Sequence, residues 1–147
     1  MNYSLEKPDE IFGLIDSIDP PKRSIVPKEE SWCLDDIIMH IVDTEIQSYV
    51  RLISILAEKN PNISNFDEKQ WASLGRKVDI STARNVVRFI RSEILRASSK
   101  FTGSDLQHRF GIHSVRGPES FVTLSEIYEK HIDSHIKQAK RIIEKLN

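Results

Sequence analysis

Apolar residues recur at helical spacing in four segments of the chain, and no stretch of comparable length alternates apolar and polar residues with a period of two. Four amphipathic helices can bury their apolar stripes by packing against one another. We therefore expect an all-α four-helix bundle in which strands, if any, are short. The expected helices run from near Pro8 to a stop at Asp19-Pro20-Pro21, from about Leu34 to Lys59, from just after Ser81 or Thr82 to Gly103, and from a capping box at Thr123-Leu124-Ser125-Glu126 to about Leu146.

Two connections between these helices are candidates for functional segments. The loop between the second and third helices contains Phe66, Asp67, Glu68 and Trp71. Residues 103–122 hold three of the five glycines, so we expect a long irregular connection there. Long connections of this kind often carry functional residues.

The last predicted helix places two histidines where its apolar stripe predicts buried residues. His131 and His135 fall between Tyr128 and Ala139 in that stripe. Side chains at positions i and i+4 lie on one helical face about 5–6 Å apart, so both imidazoles can bind the same ion. The alternative is that each histidine is a core or boundary residue bonded to a carbonyl or a carboxylate. We favour metal binding, because a cation satisfies both acceptor nitrogens while two neighbouring imidazoles gain nothing from one another.

His40, in the second predicted helix, is the candidate third ligand. On a helical wheel it lies with Asp36, Asp43, Thr44 and Gln47 on the polar face. A histidine on a polar face is more often solvated than ligating, and the apolar periodicity does not indicate that this face meets the last helix. The residues alone therefore leave a surface position for His40 open.

Motifs spread over nearly the whole chain resemble those of the DinB-like/YfiT-like superfamily of metalloenzymes. The resemblance covers a tryptophan-to-glutamate segment around the first histidine, an acidic and aromatic loop, and an ending with two histidines and a glutamine. One departure is Cys33, which stands where the family has a serine as the cap of the second helix. The matching segments are Trp32 to Glu45 with Arg51, Phe66-Asp67-Glu68 with Trp71, and Gly117 through Thr123-Leu124 to His131, His135 and Gln138.

This resemblance implies a single DinB-like helical-bundle domain over residues 1–147, with a divalent metal held by His40, His131 and His135. Zinc and nickel are the leading candidates for the metal, with manganese and iron as alternatives, since all accept imidazole nitrogen. The implied function is a metal-dependent enzyme, either a thiol-dependent S-transferase or a hydrolase acting on a small molecule. A low-molecular-weight thiol and a second copy of the chain, in a homodimer, are further candidate partners. The alternatives are a non-catalytic, stress-associated metal-binding protein of the same fold and a helical interaction module without metal.

Four other residues carry expectations of their own. We interpret Cys33 as a helix cap rather than a nucleophile, since it lies about 10 Å along the helix axis from His40. Glu45 falls on the apolar face of the second helix, so we expect a basic partner such as an arginine in a structural ion pair. We expect His108 to face solvent, and we leave the position of His113 open.

Composition and charge exclude several other functions. The net charge of −1 and the absence of a basic run interleaved with aromatic residues argue against nucleic-acid binding. The first ten residues lack the apolar core of a signal peptide, and no stretch approaches the ~18 apolar residues of a membrane span. The single cysteine cannot form an internal disulfide. We therefore expect a cytoplasmic protein that does not act at a membrane.

Overall fold

Four long helices form the bundle in the computed structural model, which describes residues 3–147. Three short helices and three short strands connect them, and the expected all-α four-helix bundle is confirmed. In chain order the elements are α1 (Glu6–Asp16), α2 (Pro20–Arg23), α3 (Leu34–Ala57), β1 (Asn62–Ile63), α4 (Glu68–Ala72), α5 (Ile80–Ser98), α6 (Gly103–His108), β2 (Phe110–His113), β3 (Gly117–Ser120) and α7 (Phe121–Leu146).

The main helix contacts are those of α3 with α5 and α7, and of α1 with the same two helices. The apolar core divides into two clusters along the bundle. One joins α1 to the first half of α3 and the second half of α7, and includes Phe12, Ile38 and Ile136. The other joins the second half of α3 to α5, β1 and the start of α7, and includes Leu52 and Phe121. Among the described helices, none has the length and apolarity that a membrane crossing requires.

A buried arginine lies between the two apolar clusters. Arg91 of α5 donates from Nε to Glu45 Oε2 at 3.0 Å and from Nη2 to Glu45 Oε1 at 2.7 Å. Its Nη1 donates to the carboxylate of Glu129 on α7 and to the backbone oxygen of Ser4. The arginine partner that we expected for Glu45 is confirmed, and the ion pair connects three helices of the bundle.

Several predicted helix ends were wrong by two to three residues. Helix α1 begins at Glu6 rather than Pro8, and α3 ends at Ala57. Helix α5 begins at Ile80, because the Asp79 carboxylate caps it by accepting from the backbone N–H of Thr82. The double proline that stops α1 also opens the one-turn helix α2, since proline is favoured in a first helical turn. Gly103, expected to close the third helix, instead begins α6.

The predicted capping box at residues 123–126 was also wrong. Helix α7 begins three residues earlier, where the Ser120 hydroxyl accepts from the backbone N–H of Thr123 at 3.0 Å. Thr123 therefore supplies the capped N–H rather than the capping side chain. The earlier start places Phe121 in the first turn, where it is fully buried.

Residues 103–122 are more regular than we expected. They form α6 and an antiparallel hairpin of β2 and β3, and β1 pairs in parallel with β2. The small sheet packs closely on the bundle at Gly111, where a Cβ atom would lie 3.1 Å from Ile55 Cγ1 of α3. The loop with Phe66 likewise contains the short helix α4. Helix α4 contacts α3, and the hairpin contacts both α3 and α7.

Candidate metal centre

The three histidines singled out in the sequence lie together at the contact between α3 and α7. His40 Nε2 is 3.0 Å from His131 Nε2, which is 3.0 Å from His135 Nε2. His131 and His135 are one turn apart on α7, and His40 faces them from α3 although it is 91 residues away from His131 in sequence. The polar face of α3 therefore does meet the last helix.

The solvent exposure of these histidines differs from what the helical wheel of α3 and the apolar stripe of α7 indicate. His40, placed by the helical wheel on a polar face, is 2% exposed, and Asp43 and Thr44 beside it are also buried. The reason is that α3 packs against both α5 and α7, so its polar face is covered as well. On α7 the buried positions next to the histidines are Ile132 and Ile136, which leaves the two histidines only partly buried at the margin of the core.

Hydrogen bonds fix the orientation of one of the imidazoles. Nδ1 of His135 lies 2.8 Å from Oε1 of Gln138. An amide oxygen can only accept, so Nδ1 carries the proton and Nε2 presents its lone pair to the other two histidines. His131 Nε2 has a single proton or a single lone pair, and hydrogen bonding therefore cannot satisfy both of its close nitrogen neighbours.

The environment keeps all three imidazoles neutral. Burial, followed by the nearby His135 and His131, lowers the pKa of His40 to about 3. Burial and the neighbouring His135 lower the pKa of His131 to about 4. Burial also lowers the pKa of His135, partly offset by the hydrogen bond to Gln138. A neutral imidazole is the form that coordinates metal, so the cluster holds donor nitrogens in the right protonation state near neutral pH.

The cluster fits a divalent cation. One ring nitrogen from each histidine can be chosen such that all three lie within 4.8 Å of one another. In a tetrahedral site with metal–nitrogen distances of about 2.0–2.1 Å, neighbouring nitrogens are about 3.3 Å apart, close to the spacings seen here. A cation would use the three lone pairs that hydrogen bonds cannot satisfy. Three protein ligands also leave at least one coordination position for water or substrate, as in catalytic rather than structural sites.

A glutamate from α4 lies beside the cluster. Oε2 of Glu68 is 3.8 Å from His40 Nε2, and its Oε1 is 3.7 Å from His131 Nε2. Burial raises the pKa of this carboxyl group, and the positive charge of Arg51 partly offsets that effect. Glu68 belongs to the acidic and aromatic loop of the motif resemblance, which implies no role for it. Its position depends on α4, a helix of five residues that is too short to have a periodic pattern.

An open cleft leads to the histidines from the side of His40. It has a volume of about 350 Å³, and its walls combine Trp32, Trp71 and Met39 with polar and charged side chains. The Trp32 ring stacks near the ring of His135, with 6.1 Å between centroids, and contacts the ring of His40 at 4.9 Å. Arg76, which forms an ion pair with Asp43, closes the far wall. The cleft has room for a small molecule that contacts the histidines at one end.

The remaining candidates lie outside the cluster. Cys33 is the N-cap residue of α3, where its backbone N–H donates to the Asp36 carboxylate at 2.9 Å. Burial raises the pKa of its thiol, which disfavours the nucleophilic thiolate. His108 is exposed as expected, and its Nδ1 contacts a backbone oxygen of its own helix. His113, left open by the sequence, is buried in β2, where its Nδ1 accepts from two backbone N–H groups of the hairpin turn.

Comparison with known proteins agrees with the motif resemblance. No model of a known protein family matches the chain. A protein of Oceanobacillus iheyensis named "Putative metal-dependent hydrolase" is 26% identical over 129 residues, which cover 85% of this chain and 74% of that protein. A protein of the same name from Bacillus mycoides is 23% identical over 141 residues, which cover 95% of this chain and 81% of that protein.

The fold is also similar to a solved structure. YfiT from Bacillus subtilis, described as a probable metal-dependent hydrolase with an unusual four-helix bundle topology, superposes with a TM-score of 0.83 at 18% identity. The superposition covers 94% of this chain and 80% of that structure. The expected resemblance to the DinB-like/YfiT-like proteins is therefore confirmed in sequence and in fold.

Proposed function

We propose that the protein is a metal-dependent hydrolase whose divalent ion is held by Nε2 of His40, His131 and His135. The observation that carries this proposal is the convergence of three neutral imidazoles whose facing nitrogens cannot satisfy one another by hydrogen bonds. The names of the relatives from Oceanobacillus and Bacillus support the same reaction class. A bound divalent ion of this kind supplies a water molecule that is acidic enough to ionise near neutral pH.

Glu68 is the general base in this proposal. Its carboxylate lies within 4 Å of two of the three imidazole nitrogens, on the side that is open to solvent. Because burial raises its pKa, the carboxylate accepts a proton more readily than a solvated glutamate does. Gln138 has a supporting role, since its amide oxygen holds the proton of His135 on Nδ1.

The donor set favours zinc or nickel over harder cations. Imidazole nitrogen suits zinc, copper, iron and nickel, whereas magnesium, calcium and manganese prefer oxygen ligands. Three nitrogens with a single nearby carboxylate therefore rank manganese below zinc and nickel. The aromatic side chains of the cleft, Trp32 and Trp71, suit the apolar part of a small substrate.

Metal analysis of protein purified without a histidine tag tests the first part of the proposal. We expect about one divalent ion per chain, and a large loss of metal in His131→Ala and in His135→Ala. His108→Ala is the matched control, because this exposed histidine lies outside the cluster. Equal metal content in all these variants would contradict the ligand assignment.

Turnover tests the second part. The metal-loaded protein is assayed on a panel of small esters and amides in water, and again with a low-molecular-weight thiol as an added nucleophile. Hydrolysis that depends on metal and falls at least tenfold in Glu68→Gln, with metal content unchanged, supports a hydrolase with Glu68 as base. Turnover that requires the thiol would instead identify an S-transferase. Metal binding without turnover on any substrate of either panel would favour a non-catalytic protein.

A further inference from the structure

The guanidinium of Arg51 on α3 donates its hydrogen bonds to neutral acceptors rather than to a carboxylate. Its Nη1 donates to the hydroxyl of Tyr128 at 3.1 Å, and its Nη2 donates to the backbone oxygen of Ser64 at 2.6 Å. Both acceptors are neutral, and within residues 3–147 no carboxylate lies within the 4.0 Å of an ion pair. A partly buried guanidinium usually has an anionic partner, because the removal of its charge from water is costly.

This arginine lines a small cavity next to the candidate metal centre. The cavity has a volume of about 80 Å³, and its walls include Arg51, Thr44, Tyr128 and His131. The space holds a group the size of about two or three water molecules. His131 therefore belongs to the candidate metal site and also lines this cavity.

A second buried polar group faces the same cavity without a partner. Thr44 is 4% exposed, and its hydroxyl oxygen has no hydrogen-bond partner within the described part of the chain. A buried hydroxyl without a partner is costly, so such a group indicates a missing ligand or water molecule. Thr44 is four residues after His40, one helical turn away, and so lies between the cluster and Arg51 along α3.

The charged side chains at the cavity cancel in pairs, so a divalent ion at the three histidines would make the region positive. Arg116 also lines the cavity, but Glu119 neutralises it in a two-point ion pair. His113, close behind, has a lowered pKa, first because of burial and then because of the positive Arg116, to which Arg51 adds. Glu68 also lines the cavity, and its carboxylate offsets the charge of Arg51 from beyond ion-pair distance. The carboxylate therefore does not offset the charge of a divalent ion held by the three neutral imidazoles as well.

We propose that Arg51 and Thr44 form a subsite for an oxyanion group, a carboxylate or a phosphate, of the substrate. The inference rests on the proposed function, since it names the substrate class of the same site. The guanidinium supplies a charged donor and the Thr44 hydroxyl a neutral one, which is the donor set that an oxyanion requires. The cavity admits only a small group, and the wider cleft on the side of His40 receives the remainder of the substrate. The bond to be cleaved then lies over the three histidines.

Binding of inorganic phosphate and of acetate tests this subsite without a known substrate. Isothermal titration calorimetry is carried out on zinc-loaded and on EDTA-treated protein. The variants are Arg51→Gln, Arg51→Lys and Thr44→Val, and the control is Arg88→Gln, an exposed arginine of α5. We expect one or both anions to bind the wild type and to bind Arg51→Gln about tenfold more weakly or worse, since charge-assisted hydrogen bonds are lost.

The charge-conserving Arg51→Lys should retain anion binding within a few-fold of the wild type, and Thr44→Val should weaken it less than Arg51→Gln does. Arg88→Gln should leave it unchanged, and zinc content should be that of the wild type in all four variants. The ratio of phosphate to acetate affinity identifies which oxyanion the cavity prefers. Thermal unfolding of Arg51→Gln and Arg51→Lys shows whether each variant is folded.

Failure of this inference is distinguishable from failure of the proposed function. If the wild type binds no zinc, the proposed metal site is wrong, and the EDTA-treated arm then tests the subsite by itself. Wild-type affinity for both anions in Arg51→Gln would overturn the subsite. Absence of millimolar binding of either anion to the wild type, in both arms, would overturn it as well.

Discussion

Replacement of Arg91 by leucine should be among the most destabilising single changes in this protein. Arg91 is 0% exposed, and it is the common partner of Glu45 and Glu129, which are 1% and 4% exposed. Leucine fills most of the space but removes the hydrogen-bonded cation from both buried carboxylates, and leaves Glu129 with only the more distant Lys7, whose Nζ is 3.8 Å from Glu129 Oε2. Removal of one partner from a buried ion pair costs about 3–5 kcal/mol, and we expect the upper part of that range because two carboxylates lose their partner.

That loss is a large fraction of the ~5–15 kcal/mol by which a domain is stable. Urea unfolding of wild-type and Arg91→Leu protein in EDTA measures it without a contribution from bound metal. Arg96→Leu is the matched control, because Arg96 lies on the same helix in an exposed ion pair with Glu93 and should change stability far less. A difference below about 1 kcal/mol between Arg91→Leu and the wild type at pH 8 would refute the reasoning.

The pH dependence of the Arg91→Leu deficit provides a second test. Burial already raises the pKa of Glu45 in the wild type, against the opposing effect of Arg91. Without the arginine, the folded-state pKa of Glu45 rises further above its unfolded value. The folded variant then binds more protons than the unfolded chain, so its stability rises as pH falls through the folded-state pKa. The deficit relative to the wild type should therefore be largest at pH 8 and smaller at pH 5.

Three further predictions concern the histidines and the cysteine. Zinc at a hundredfold excess over Kd should stabilise the wild type by about 2.7 kcal/mol, which is a Tm increase of about 5–10 °C, and His40→Ala should lose most of that increase. A full Tm increase in His40→Ala would show that α3 does not hold the ion. In EDTA, the free energy of unfolding should fall by about 2 kcal/mol between pH 7 and pH 5 from His40 alone, because the unfolded imidazole protonates from pH ~6.5 downwards while the folded one has a pKa of about 3. A free energy of unfolding that stays constant over this pH range, measured with urea, would contradict this prediction. Cys33→Ser should keep its metal, and its free energy of unfolding should equal that of the wild type or be higher by up to ~1 kcal/mol, since a hydroxyl caps a helix well. Loss of activity with the metal retained would show that the thiol has a chemical role.

The long helices were predictable because periodicity over ten or more residues reports a buried face. The short elements were not, because α2, α4 and the three strands span two to five residues and depend on contacts with the bundle. The start of α7 was missed for a related reason. Ser120 and Thr123 are both acceptable caps, and the choice between them depends on the burial of Phe121, which the local sequence does not specify.

The identity of the metal-site residues was predictable in part, but their depth was not. The i, i+4 spacing of His131 and His135 indicates a shared face, and the structure shows that face. A helical wheel orients His40 toward the polar side of α3 without indicating what covers that side. The family resemblance indicated that His40 on α3 lies beside His131 and His135 on α7, a contact that periodicity alone does not predict. The proposed roles of Glu68 and Arg51 could not be predicted from the sequence, because they depend on the position of α4 and on the cavity.

The buried ion pair and the histidine cluster belong to one structural arrangement. Glu45 lies five residues after His40 on α3, and Glu129 lies two residues before His131 on α7. Arg91 binds both glutamates, so it fixes the rotation and the axial position of α3 relative to α7 at a point within about two turns of the imidazoles. A buried polar contact of this kind has strict geometry, whereas apolar packing tolerates small shifts. The polar interior of α3 therefore holds the three nitrogens close to one another, which would lower the ordering cost of binding the proposed ion.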